Sequence, residues 1–324
     1  MGKRMTTRIV GTGSYVPEQI VTNNDLAKIV ETNDEWIRSR TGIGERCIAT
    51  TESNSHMAAV AARRALDQAG VKPEEVDLIL LATSSPDYCF PNGACEVQGE
   101  IGAVNAAGYD ISAACTGFVY ALNTAHAFIS AGIYRTALVI GSDVLSKLID
   151  WTDRGTCVLF GDGAGAAVVQ AAETGITGIK MCSDGTKGSV LTCGARTNGN
   201  FLIDKKPELG YMTMDGQEVF KFAVKKVPEI IRQILEDNHT DIEEIRYFVL
   251  HQANIRIIDS VAKRLKVSTD RFPNNMEHYG NTSGGSIPIL LDEMNRNGLL
   301  QPGDKIILSG FGAGLTWGAT LLEW

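Results

Sequence analysis

Two rhythms of apolar residues alternate along this chain. Predominantly apolar runs at 76–83, 135–142, 247–250 and 305–310 predict strands covered on both faces, since a strand with one wet face would alternate instead. Apolar positions at helical spacing predict helices over 55–70 (Met57, Val60, Ala61, Ala65, Ala69) and 117–131 (Phe118, Ala121, Leu122, Ala125, Phe128, Ile129). They stop at Gly70 and Gly132, which suit the left-handed turn that closes a helix. Residues 8–13 predict an opening strand, 108–112 a short one, and 161–170 a strand entered through a glycine-rich turn. Residues 24–32 and 34–40 predict short helices begun by Asn or Asp caps, with Trp36 and two arginines on an exposed loop edge at 36–42. The stretch 186–210, rich in Gly, Asn, Thr and charge, predicts a surface excursion.

The second half replays the first. Residues 243–254 echo 74–85, 280–286 echo the turn around Cys115, 305–310 echo 136–141, and 314–322 echo the segment after Gly161. The spacings agree: 40 residues separate 75 from 115 against 39 from 244 to 283, and 25 separate 115 from 140 against 25 from 283 to 308. A shared period of this kind implies two α/β halves, 1–174 and 175–324, related by an approximate two-fold.

Composition narrows the class. A net charge of −8 argues against a general nucleic-acid binder, and no apolar run reaches the length of a membrane span. Seven cysteines, an odd number without a CxxC pair, suit a reducing cytoplasm and speak against a disulfide framework or structural zinc.

Cys115 is the candidate nucleophile. It sits where a short strand turns into the first turn of a buried helix, where unpaired N–H groups and the helix dipole favour a thiolate. Ala113, Ala114 and Gly117 are small, so another molecule can approach the sulfur. His251 ends the run at 247–250, and Asn281 opens a helix in the place that Cys115 takes in the first half. Halves packed face to face would bring these three polar residues to one site.

The motifs Ala-Cys-Thr-Gly-Phe at 114–118, His-Gln-Ala-Asn-Ile-Arg at 251–256, Gly-Asn-Thr-Ser at 280–283 and Gly-Phe-Gly-Ala-Gly-Leu-Thr-Trp-Gly at 310–318 resemble those of the β-ketoacyl-acyl carrier protein synthase III family. These are initiating condensing enzymes of bacterial fatty acid synthesis within the thiolase superfamily, and the likeness runs from the opening strand to Trp324. The resemblance implies a thiolase-like α/β fold, two pseudo-symmetric halves in a five-layered αβαβα sandwich, in a cytoplasmic homodimer without a cofactor or metal. It implies a decarboxylative Claisen condensation of a short acyl-CoA primer, acetyl-CoA first among them, with malonyl-acyl carrier protein.

In that reaction Cys115 carries the acyl group, and His251 and Asn281 donate hydrogen bonds to the malonyl thioester oxygen. The backbones of Cys115 and Ala313 would form the oxyanion hole. CoA contacts implied by the resemblance are Trp36, Arg40, Thr41, Arg154, Gly216, Phe220 and Asn254. Lys221, Arg256, Lys263 and Arg264 are the implied carrier-docking residues, and Phe90 would reach across the dimer to bound the partner's acyl pocket. His278, three residues before Asn281, is read as a loop residue and not as a second catalytic histidine.

The chain departs from the family pattern in two places. Gly284 and Gly285 stand where relatives often carry alanines, and Ala313 replaces a glycine, so its backbone is either ordinary or strained. Rival readings are a secondary-metabolite ketosynthase with another acyl-CoA or acceptor, a transfer or hydrolytic enzyme using Cys115 alone, and an inert dimeric binding module. A dinucleotide-binding dehydrogenase fits worse, because the glycine-rich turn at 161–165 leads into a strand.

Overall fold

Three of the apolar runs, at 76–83, 135–142 and 305–310, become middle strands of two sheets, where both faces of a strand are covered, while the run at 247–250 becomes an edge strand. A computed structural model describes residues 5–203 and 205–324. Its first half runs β1 (Thr6–Tyr15), β2 (Ile20–Thr22), α1 (Asn23–Leu26), α2 (Asp34–Thr41), β3 (Glu45–Cys47), α3 (Asn54–Ala69), β4 (Leu78–Ala82), α4 (Gly93–Ile101), β5 (Ala107–Ile111), α5 (Gly117–Ser130), β6 (Thr136–Asp143), α6 (Arg154–Cys157) and β7 (Gly163–Ala172). There follow β8 (Ile176–Ser183), β9 (Leu191–Cys193), β10 (Met212–Met214), α7 (Gly216–Asp237), β11 (Ile245–Leu250), α8 (Ile255–Leu265), α9 (Met276–Tyr279), α10 (Ser286–Arg296), β12 (Lys305–Gly312) and β13 (Thr316–Glu323).

One sheet has the order β1-β7-β6-β4-β5 and the other β11-β12-β13-β8. The parallel pair β4/β6, followed by antiparallel β7 and β1, recurs as the parallel pair β11/β12 followed by antiparallel β13 and β8. A constant offset of 169 residues relates Ala114 to Ser283, Gly117 to Ser286 and Thr136 to Lys305, the starts of matching elements. This offset places Gly284, not Asn281, opposite Cys115. Asn281 corresponds to Ser112 and precedes α10 by five residues, so it does not open that helix as the sequence reading expected.

Three apolar clusters make the five layers. Phe118 and Leu122 of α5 and Ile287 and Leu291 of α10 lie between the sheets, against Leu78 and Leu80 on one side and Ile306 and Leu308 on the other. Ile79 and Leu81, pointing the opposite way as the period-2 pleat requires, pack under α3 and α4. Phe248 and Ile307 pack under α7 and α8.

Helix α1 stops after four residues, well short of the expected 24–32, and a new cap restarts the chain: the side chain of Asn33 accepts from the Trp36 N–H at 2.8 Å. Trp36, Arg40 and Thr41 therefore stand on helix α2, which closes at Gly42 with φ 82°, and not on a loop edge. The excursion at 186–210 holds the strand pairing of β9 with β10 at its base and exposes Phe201 almost fully.

Candidate active site

Cys115 lies in a single 3₁₀ turn, Ala114–Thr116, between β5 and α5. Its counterpart turn, Ser283–Gly285, precedes α10. In both turns a non-glycine residue takes a left-handed backbone, Ala114 at φ 47° and Ser283 at φ 51°. Such positions cost about 1–3 kcal/mol each and persist where surrounding structure fixes them. Here each turn is fixed by a strand of the other half. A side chain at Gly312 of β12 would come within 2.7 Å of the Cys115 backbone nitrogen, and one at Gly141 of β6 within 2.0 Å of the Gly284 carbonyl. Glycine at both strand ends thus permits the close approach that joins the halves at the site.

His251 follows directly on β11 and is buried, its backbone N–H bonded to the Ser309 carbonyl at 2.9 Å. Its Nδ1 lies 2.7 Å from Ser286 Oγ, and its ring meets Phe311 edge-on at 5.3 Å. Asn281 is held by a bridge to Phe160: it donates its N–H to Leu159 O at 2.9 Å, and its carbonyl accepts from Gly161 at 3.0 Å. The Asn281 Oδ1 accepts from the Ser283 N–H at 2.9 Å, which assigns the amide orientation and leaves the NH₂ group as donor.

The electrostatics differ from the sequence expectation at Cys115. Burial pushes the thiol up to about 12, a bond from Ser283 and the backbone N–H pull it down, and nearby Asp143 raises it further. Desolvation thus opposes the helix start, whose dipole favours the thiolate. Asp143 is itself shifted upward, by burial first, against hydrogen bonds from Ser84, Ser283, Ser85 and Gly284. Burial alone lowers His251 to about 3, which keeps its imidazole neutral at physiological pH.

Cys115, His251 and Asn281 all line one cavity of about 560 Å³. Its outer part is formed by Trp36, Arg40, Thr41, Gly216, Phe220 and Asn254, together with Lys221 and Arg256 at the mouth. Arg154 is not a lining residue, but its guanidinium sits over the Trp36 ring at 4.9 Å, as that of Arg40 does at 4.8 Å. Ala313 directly follows the lining residue Gly312 and is not among the positive-φ positions, so its backbone is ordinary. Lys263 and Arg264 are exposed on α8, away from the cavity lining. Phe90, at 87 % exposure, also lies outside it. His278 is exposed against Glu45 and does not reach the cavity. Sequence reasoning missed Ser286, Phe311, Ser283 and Asp143. A signal for Ser286 existed, since it falls on the repeat position of Gly117.

A duplicated five-layered frame that turns the starts of both inner helices toward one cavity is the fold of the thiolase-like condensing enzymes. Profiles described as 3-oxoacyl-[acyl-carrier-protein] synthase III and as its C-terminal part match residues 109–185 and 235–324. The β-ketoacyl-[acyl-carrier-protein] synthase III of Clostridium acetobutylicum is 55% identical over 323 residues, covering 98% of this chain and 99% of that one. The crystal structure of the Aquifex aeolicus 3-oxoacyl-[acyl-carrier-protein] synthase III matches with a TM-score of 0.92 at 45% identity, over 98% of this chain and 100% of that one. The priming β-ketosynthase of the R1128 polyketide pathway also matches at 0.92, with 36% identity over 100% and 97% of the two chains. This chain belongs to the 3-oxoacyl-[acyl-carrier-protein] synthase III family.

Proposed function

We propose that the two halves, divided at 174/175, join a short acyl-CoA to malonyl-acyl carrier protein at Cys115, His251 and Asn281. The chain is an acyltransferase that initiates fatty acid synthesis by condensation. The observation that carries the residue roles is the shared cavity: sulfur, imidazole and carboxamide line it together, with an arginine-flanked indole farther out.

Cys115 Sγ attacks the thioester carbonyl, the backbone N–H groups of Cys115 and Ala313 hold the oxyanion, and CoA leaves as its thiol with the proton of Cys115. Malonyl-carrier then loses CO2. The electron pair of the broken C–C bond becomes an enolate, whose oxygen takes hydrogen bonds from the neutral imidazole of His251 and the Asn281 NH₂. The enolate carbon attacks the acyl thioester, and Cys115 departs as thiolate, which takes up a proton from solvent before the next acylation. Neutral donors suit this step because the charge develops only in the transition state. No cofactor enters beyond the substrates.

Trp36 with Arg40 and Arg154 suits an adenine ring and a phosphate, and Thr41, Gly216, Phe220 and Asn254 line the way to the sulfur. Lys221, Arg256, Lys263 and Arg264, exposed on α7 and α8, form a basic landing area for the acidic carrier. The free edge of β5 and the exposed Phe90 favour a homodimer in which Phe90 bounds the partner's acyl pocket. Seven free thiols fit a reducing cytoplasm.

Cys115→Ser is expected to abolish acyl transfer. His251→Ala and Asn281→Ala should still form the acyl-enzyme, seen by mass spectrometry, while CO2 release falls about a hundredfold or more. Unchanged CO2 release in both of these variants would defeat the assignment. A panel of acyl-CoA primers with malonyl-carrier defines the primer and separates this reading from a secondary-metabolite ketosynthase.

A further inference from the structure

We infer that Ser286 is a positioning residue that locks His251 in the tautomer carrying its hydrogen on Nε2, the edge available to substrate. This rests on the proposed role of His251 as a hydrogen-bond donor.

The contact is built into the duplication. In the first half, Gly117 opens α5 and packs so closely that a side chain there would lie 2.8 Å from the Ala82 Cβ. The offset of 169 turns this pair into Ser286 and His251. A position that can only be glycine beside alanine in one half holds a hydroxyl beside an imidazole in the other, at 2.7 Å from Ser286 Oγ to Nδ1. Both residues are nearly fully buried, so bulk water does not compete for the bond.

The direction of the bond is argued from the serine's other partner together with the donor role of His251. Ser286 Oγ also receives the backbone N–H of Gln252 at 3.4 Å, and that group can only donate. With one lone pair so occupied, the hydroxyl turns its proton toward Nδ1, and a donor at Nε2, as the proposed chemistry requires, leaves Nδ1 bare. With Nδ1 accepting, Nε2 carries the hydrogen. An imidazole free to take the other tautomer would present a lone pair to the enolate oxygen and repel it.

The experiment is nitrogen NMR on the full-length enzyme labelled with ¹⁵N-histidine. Five histidines are present, and the signal lost in His251→Ala assigns the one of interest. The expected spectrum shows a bare Nδ1 and a protonated Nε2 that persist from pH 8 to pH 5. Ser286→Ala should convert this to a mixture or to the Nδ1–H form. In stopped-flow assays it should slow condensation on the acyl-enzyme about tenfold more than it slows acylation of Cys115, the loss expected for one hydrogen bond. A wild-type His251 found as the Nδ1–H form overturns the inference, as does a Ser286→Ala enzyme with unaltered tautomer and unaltered condensation. Failure of the functional reading looks different: CO2 release then survives in His251→Ala, while the tautomer spectra, which need no turnover, still report on Ser286.

Discussion

At the scale of single residues, burial decides the charge states on which the chemistry depends. His251 is neutral when folded down to about pH 3, whereas an unfolded histidine takes its proton near 6.5. Between those values the unfolded chain binds one more proton, so this group makes stability rise with pH and removes it as pH falls from 6.5 toward 3. From pH 7 to pH 5 the loss amounts to about 2 kcal/mol. Asp143 acts in the opposite sense: its folded pKa is raised, so stability falls as pH climbs from the unfolded value toward the folded one. The His251 share is isolated by difference. Urea unfolding of wild type and of His251→Asn at both pH values should show the wild type losing about 2 kcal/mol more. Equal losses would mean that the imidazole titrates normally. The same neutrality predicts that condensation shows no acid limb near pH 6.5 that vanishes when His251 is replaced.

At the scale of elements, the two turns differ in how much room they leave. A methyl at Gly284 would meet Ala82 O and Asp143 Oδ2 at 3.5 Å, ordinary contact, whereas one at Gly285 would lie 2.7 Å from the Gly163 carbonyl. Gly284→Ala is expected to leave thermal stability unchanged or to raise it by about 0.5–1 kcal/mol, through the less flexible unfolded chain. Gly285→Ala should lower it by about 1–3 kcal/mol, since backbone must move. Calorimetry on both variants checks the pair, and the reverse order would refute the close packing of the turn on β7. The long apolar runs and the helices at 55–70 and 117–131 were legible because burial on two faces or on one stripe writes itself into the residue pattern. Strand β8 was not, because its residues are mostly half-buried or exposed and carry no clean alternation. Helix α4 was hidden by Gly93 and Gly99 within nine residues, and forms from its Asn92 cap. Cys115 and His251 were visible as polar residues at the ends of apolar elements. Ser286 and Asp143 were not, since they matter only through contacts with residues far away along the chain. Matching motif letters and not turn geometry sets Ser283 or Asn281 opposite Cys115, where the offset puts Gly284. The left-handed residues Ala114 and Ser283 fix the true alignment.

At the scale of the molecule, the duplication is incomplete, and the difference bears on assembly. The offset of 169 carries β5 onto α9, so the first sheet ends in a strand that the second sheet lacks. Strand β5 pairs with β4 on one side only. Around it stand Tyr88, Phe90, Val104 and Tyr109, exposed by 59%, 87%, 72% and 36%. A free strand edge flanked by large apolar groups is a surface that proteins ordinarily cover. A second copy offering the same edge would extend the sheet and bury the aromatics symmetrically. Phe90→Asp combined with Val104→Asp is expected to shift the sedimentation mass from dimer to monomer, because each buried carboxylate would lack a partner. Phe90→Ala should leave the dimer intact and change the preferred primer length, if the ring bounds the neighbouring acyl pocket. A wild-type chain that sediments as a monomer would remove both expectations. It would also leave the acyl pocket to be closed by residues of one chain alone, with primer preference then set by the walls around Phe160 and Phe311.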